Sequence, residues 1–240
     1  MTPASNGDGD QPPPDEAPLK VGDRTPTNRK IHPRLIVCEG VSDQAVIEAL
    51  LRVHNIGGIQ VEIGKGVGNF SVLLKTARDL KFNWVLLIAD EDEVDEKEVQ
   101  FHKIQVELKK AGYQIPQNRR EQVAPQKTAH GMNPGVEILM VPWDKEKGCI
   151  ETVCLPAFKE LYPDQYKCVE TYSECAHTNG WTTSRRSEMM VHCLLGGTQE
   201  KTPRIALQHF AKSEDCPINF KHDCFMKIVG YLQLFASRAV

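Results

Sequence analysis

The chain has 240 residues, 40% hydrophobic and 25% charged, with a formal net charge of −3. That suffices for one sizeable core and matches ordinary globular composition. It excludes a generically basic nucleic-acid coat, and no apolar run reaches the roughly 18 residues of a membrane helix.

Residues 1–28 read as a disordered leader, rich in Pro, Gly and Asp and poor in large apolar groups. They carry five acidic and two basic side chains, so the body beyond them is neutral. Pro12, Pro13 and Pro14 could serve a polyproline reader, but a plain tail is the expected reading. The N-terminus lacks a basic segment followed by an apolar block. The eight cysteines form no CxxC pair. Free thiols in a reducing cytoplasm are therefore expected.

Ordered sequence begins near Pro33. "RLIVCE" reads as a buried strand and "SDQAVIEALLRVHN" as a helix, with Ser42 as N-cap and Val46, Leu50 and Val53 on one stripe. "GIQVEIG" reads as a second strand. The glycine loop "GKGVGN" leads into the helix "FSVLLKTARDL". "WVLLIAD" is the most apolar strand, placed at the sheet centre. "EKEVQFHKIQVELKKAG" reads as a third helix ended by Gly112, and "GVEILMVP" as a fourth strand. The polar stretch "QIPQNRREQVAPQKTAHGMNPG" between them reads as a long loop, a class often functional or mobile. After Gly148 the pattern turns helical.

Strands alternating with helices imply an α/β architecture: a mainly parallel four-stranded sheet flanked by helices. The expected organisation is a leader over 1–28, a core over 29–145 and a mainly helical C-terminal extension over 146–240.

In such a sheet, chemistry gathers beyond the carboxyl ends of the strands. Glu39 ends the first strand, Asp43 enters the first helix, Asp90 ends the third strand, and Asp92 lies two residues on. Carboxylates brought together repel one another unless a hard divalent cation neutralises them. Oxygen-only ligands suit Mg2+ or Mn2+. The plainer reading makes Asp43 a helix-dipole partner and the acidic run from Asp90 to Glu96 a solvated loop.

"IVCEGVSD" and "LLIADED" together resemble the Toprim domain. That domain is shared by topoisomerases, bacterial primases, a ribosomal-RNA maturation nuclease and the overcoming-lysogenisation-defect nucleases. In it a strand ends in Glu-Gly followed by Asp, and a later strand ends in Asp-x-Asp. The resemblance covers residues 33 to 142. It implies a Toprim-like fold, Mg2+ or Mn2+ as cofactor, and Glu39, Asp43, Asp90 and Asp92 as the catalytic set. Glu39, Asp90 and Asp92 would be metal ligands. "MVPWDKEKGCIETVCL" resembles a less-characterised Toprim-like group, which adds Asp144 and Glu151 as matching positions and Glu151 as a ligand.

The resemblance implies metal-dependent hydrolysis of nucleic acid, by a nuclease or nuclease subunit, with phage defence as one setting. The chain is too short to add a topoisomerase tyrosine domain or primase template domains. A non-cleaving sensor of nucleotides or nucleic acid stands as one alternative. A small metal-dependent phosphatase or phosphotransferase stands as another. Arg185, Arg186, Lys201 and Arg204, with Lys212 nearby, would form a cationic wall for a phosphate backbone, or simply solvated helix faces. A partner protein subunit and self-association stay open, and no membrane partner is expected.

"GKGVGNFS" fails the phosphate-loop pattern because Lys65 comes too early, so a tight turn is expected there. "ADEDEV" departs from the aspartyl-phosphate phosphatase pattern at Val94. The Cys and His residues of the last third, Cys168 to Cys224, lack zinc-finger spacing.

Overall fold

The computed structural model describes residues 32–91, 100–143, 146–199, 205–213 and 216–239. The leader over 1–28, Asp92, Asp144, Lys201 and Arg204 lie outside the described residues.

Four apolar segments form the sheet: β1 (Arg34–Cys38), β2 (Ile59–Ile63), β3 (Trp84–Asp90) and, last in sequence, β6 (Gly135–Val141). Their order is β2-β1-β3-β6, and every pairing is parallel. Both faces are covered, which is why β3 reads as an apolar run rather than an alternating one, and β6 nearly so, broken by Glu137.

The period of two sorts these strands into two cores. Leu35, Val37, Val85, Leu87, Ala89, Val136, Ile138 and Met140 face α2 (Phe70–Asp79) and α3 (Gln100–Ala111). Phe70, Leu74, Ile104 and Leu108 meet them there, all fully buried. Ile36, Cys38, Leu86, Ile88, Leu139 and Val141 face the other way. That side holds α1 (Val41–Val53), α4 (Ile150–Leu161), α5 (Pro163–Cys175), α6 (Thr183–Thr198), α7 (Leu207–Lys212) and α8 (Met226–Ala236). Phe158, Leu194, Phe225, Leu232 and Phe235 fill it. Each such side chain contributes about 1.5–3 kcal/mol on burial. The result is helices, sheet, helices, as the alternating pattern requires. No described helix is long and apolar enough to cross a membrane.

Two local expectations need correction. The stretch between α3 and the last strand is not loop throughout. It contains a small antiparallel hairpin, β4 (Gln126–Thr128) and β5 (Gly131–Asn133). The three-residue strands are too short and polar to show a period-two pattern. In addition, α1 starts at Val41 with Gly40 as its N-cap, not Ser42. The cap is reversed in polarity: the Asp43 carboxylate reaches back to the Gly40 N–H at 2.9 Å.

Glu137 sits wholly buried on β6. It accepts hydrogen bonds from Tyr231 Oη at 2.8 Å and from Arg238 Nε and Nη2 at 2.7 and 3.2 Å. These tie the chain's last helix and turn to the sheet. Tyr231→Phe removes one donor from a buried carboxylate and should cost about 2 kcal/mol. Urea unfolding of the two proteins measures it, and equal midpoints would mean that Arg238 alone satisfies Glu137.

Candidate metal centre

The carboxyl ends of β1 and β3 lie side by side, with Cys38 paired to Ile88. Glu39 continues the ladder, its N–H donating to Ile88 O at 3.0 Å. Its carboxylate accepts from Gln100 Nε2 at 3.1 and 3.3 Å and from the Asp90 N–H at 3.4 Å. Glu39 therefore clasps the ends of both strands and the first turn of α3.

The glycine loop closes against the same point. The Gly64 N–H donates to Cys38 O at 2.7 Å and the Gly66 N–H to Glu39 O at 3.0 Å. A Cβ on Gly64 would lie 2.4 Å from Phe70 Cε1, so only glycine allows this approach. These two N–H groups are committed to carbonyls and do not form a phosphate cradle. The tight turn expected there is what forms.

Asp43 is 3% exposed. Oδ2 takes the Gly40 N–H, while Oδ1 is buried with no hydrogen-bond partner. Burial pushes its pKa up to about 7, helped by the nearby charges of Glu151 and Glu39 and opposed by the Gly40 N–H. Asp43, Glu39 and Glu151 thus form one electrostatic group.

Glu151 arrives from a distant part of the chain. The ends of β3 and β6 carry on into a bridge between Glu91 and Gly148, which sets the start of α4 beside Asp90. Asp90 Oδ1 accepts from the Ile150 N–H at 3.2 Å, a carboxylate at a helix N-terminus. Gly148 has φ 141°, and a Cβ there would meet Thr152 Oγ1 at 2.4 Å. That glycine lets the chain turn into the helix, and Glu151 falls in its first turn, 8% exposed.

From α6 comes Glu188. Ligand atoms of Cys149, Glu151 and Glu188 all lie within 4.8 Å of one another, the one such trio among the described residues. Glu39, Asp43 and Asp90 do not close to that distance as a trio. They connect to it through charge: Glu151 acts on Asp43, and Asp90 on Cys149. Burial, then Glu151 and Asp90, push the Cys149 thiol far up, so it stays protonated in the metal-free protein.

The donors fit a divalent cation on two counts. Most are carboxylate oxygens, the class that hard cations choose. One buried oxygen, Asp43 Oδ1, lacks any hydrogen bond, as a ligand reserved for an ion would.

A family model described as a protein of unknown function, DUF3226, matches residues 33–235. The chain belongs to the DUF3226 family. Among solved structures, this DUF3226 chain is similar to the C-terminal region of the Burkholderia pseudomallei OLD protein. The two share 14% identity over 86% of this chain and 100% of that one, with a TM-score of 0.42. No curated protein matches the sequence.

Of the cationic positions of the DUF3226 chain, Arg185, Arg186 and Lys212 are among the described residues. Arg185 is exposed at the start of α6. Arg186 is half-buried, and its Nε donates to Ser173 Oγ at 3.0 Å, tying α6 to α5. Lys212 pairs with Glu48 at 3.5 Å and with Gln44 at 3.4 Å on α1. Cys149 and Glu188 escape sequence reasoning because Cys149, though inside "MVPWDKEKGCIETVCL", is none of its matching positions and Glu188 stands in no motif. Only the docking of α6 against α4, through the 2.8 Å hydrogen bond from Thr152 Oγ1 to Ser187 Oγ, brings them together.

Proposed function

We propose that this chain is a metal-dependent nuclease, or the catalytic subunit of one, hydrolysing phosphodiester bonds with Mg2+ or Mn2+ at the β1–β3 rim. The observation that carries the reading is the buried, unpartnered oxygen of Asp43, on which the charges of Glu151 and Glu39 act. A folded protein keeps such a costly group where a bound cation offsets it.

Asp90, with Asp92 and Glu39, would hold the ion, and Asp43 and Glu151 would anchor a second ion or a water. Bound there, a divalent cation supplies polarisation of the phosphate and stabilisation of charge on the leaving oxygen. The chain's own groups do the rest. The Ile150 N–H fixes the Asp90 carboxylate. Gln100 fixes that of Glu39, which would bind the metal or act as general acid or base. The Toprim-like motifs at Glu39–Asp43 and Asp90–Asp92 support the same reading.

The test is hydrolysis of plasmid, single-stranded DNA, structured RNA and a generic phosphate ester, with Mg2+, Mn2+ or EDTA. Cleavage of nucleic acid that EDTA abolishes is the expected result. Turnover of the ester alone makes the chain a phosphatase. Tight binding of nucleic acid with no turnover makes it a sensor.

A further inference from the structure

Glu91 follows Asp90 and is 1% exposed. One of its oxygens, Oε1, receives two cations: Arg119 Nη2, in hydrogen-bond contact, and Lys147 Nζ at 3.6 Å. Arg119 comes from the long polar loop after α3. Lys147 comes from the turn before α4.

One cation is enough to neutralise a buried carboxylate, so the second leaves a net positive charge. The pairing is also incomplete in its hydrogen bonds. Arg119 Nε and Glu91 Oε2 are both buried without partners, so the parallel bonds of an arginine–carboxylate fork are not made. A guanidinium has five N–H donors, and this one spends a single hydrogen bond on Glu91. The Lys147 contact is longer than a hydrogen bond, and its side chain is 46% exposed.

The place of the pair is fixed by its neighbours. Arg119 lies over the Phe101 ring, 5.8 Å from its centroid. Phe101 adjoins Gln100, which holds Glu39, and Glu91 adjoins Asp90. Both struts of the cationic pair are thus sequence neighbours of the candidate metal centre.

We propose that Arg119 and Lys147, gathered on the buried Glu91, form a phosphate-binding site for the nucleic-acid backbone at the edge of the carboxylate rim. The inference rests on the nuclease reading for its substrate class. Glu91 is the positioning residue, and the two cations make the contact. The Arg119 Nη donors that Glu91 leaves unused take phosphate oxygens, Nε being buried, and Lys147 adds a screened point charge. The pair also offsets the repulsion between a polyanion and the acidic rim, so a backbone can approach the carboxylates at all.

The experiment measures binding of a fluorescein-labelled single-stranded oligonucleotide to the full chain by anisotropy, over a series of KCl concentrations with Ca2+ present. Lys147→Gln leaves Arg119 to neutralise Glu91 and should preserve the fold, which thermal melting checks. It should flatten the plot of log affinity against log salt by roughly 0.7. Arg119→Gln should do likewise, and Arg119→Lys should restore the slope in part. Lys75→Gln, an exposed lysine on α2, should alter it least. Slopes equal to wild type in both Gln variants would overturn the site. A wild-type chain that binds no oligonucleotide would overturn both site and nuclease. Normal binding that depends on both cations, without cleavage in Mg2+ or Mn2+, would retain the site and remove the nuclease.

Discussion

Asp43→Asn should raise the stability of the metal-free protein above pH 7 and abolish metal-dependent cleavage. The stability gain follows from where Asp43 sits. Its carboxyl is pushed up to about 7 by burial first, then by Glu151 and Glu39. The folded protein therefore holds this proton more tightly than the unfolded chain does. Between about pH 4 and 7 the folded state binds more protons, so its stability falls as pH rises. The penalty is absent in acid and complete above pH 7, where the buried group must ionise. Asparagine carries no charge and keeps a carbonyl oxygen for the Gly40 N–H. Its amide N–H groups replace the unpartnered oxygen, within the field of the Glu151 carboxylate. The net gain should be about 1–2 kcal/mol in alkali and close to zero in acid. Melting in EDTA at acid and alkaline pH reads the difference directly. Cleavage should drop on the order of 10³-fold, because the ion loses an anionic ligand. A variant less stable at every pH would instead make Asp43 a structural cap.

The sheet was legible because its signal is local. β1 and β3 are short apolar runs, β2 alternates and β6 is apolar but for Glu137, and each segment maps onto its strand. The β4–β5 hairpin was not legible, since three-residue strands carrying Gln126, Lys127 and Asn133 look like any polar loop. At α1 the helix start shifted because a carboxylate three residues inside the helix capped it from behind, a choice that Ser42 masked in the sequence. The site divides in the same way. Glu39, Asp43 and Asp90 were readable because a strand end is a recognisable place in a sequence. Glu151 was readable through its motif. Cys149 with Glu188, and Glu91 with Arg119, were not. Their meetings depend on how α6 docks on α4 and how the long loop folds over α3, and no spacing rule encodes such contacts. The two readings of Arg185 and Arg186, a cationic wall or solvated helix faces, also turn on docking. Two adjacent arginines on a helix point in different directions, and Arg186 is drawn to Ser173.

Asp90→Asn separates the proposed metal ligand from the observed helix cap. Its Oδ1 accepts the Ile150 N–H at 3.2 Å, at the opening of α4. Asparagine presents a carbonyl oxygen of the same reach, so the bond survives. What disappears is one negative charge near a helix N-terminus, about 0.3–1 kcal/mol in favour of the wild type. Loss of repulsion from Glu39 and Asp43 works in the opposite direction. Metal-free melting should therefore change little, whereas Asp90→Ala, which removes the acceptor altogether, should cost about 1–2 kcal/mol. Metal binding has no such substitute, since a neutral amide oxygen is a poor replacement for a carboxylate on a divalent ion. Calorimetric affinity for Mn2+ should fall about tenfold to a hundredfold in both variants, and cleavage should be lost in both. The asparagine variant is the decisive one, since its scaffold is intact. Should it bind Mn2+ as the wild type does and cleave at the wild-type rate, Asp90 serves α4 alone and the metal belongs with Glu151 and Glu188.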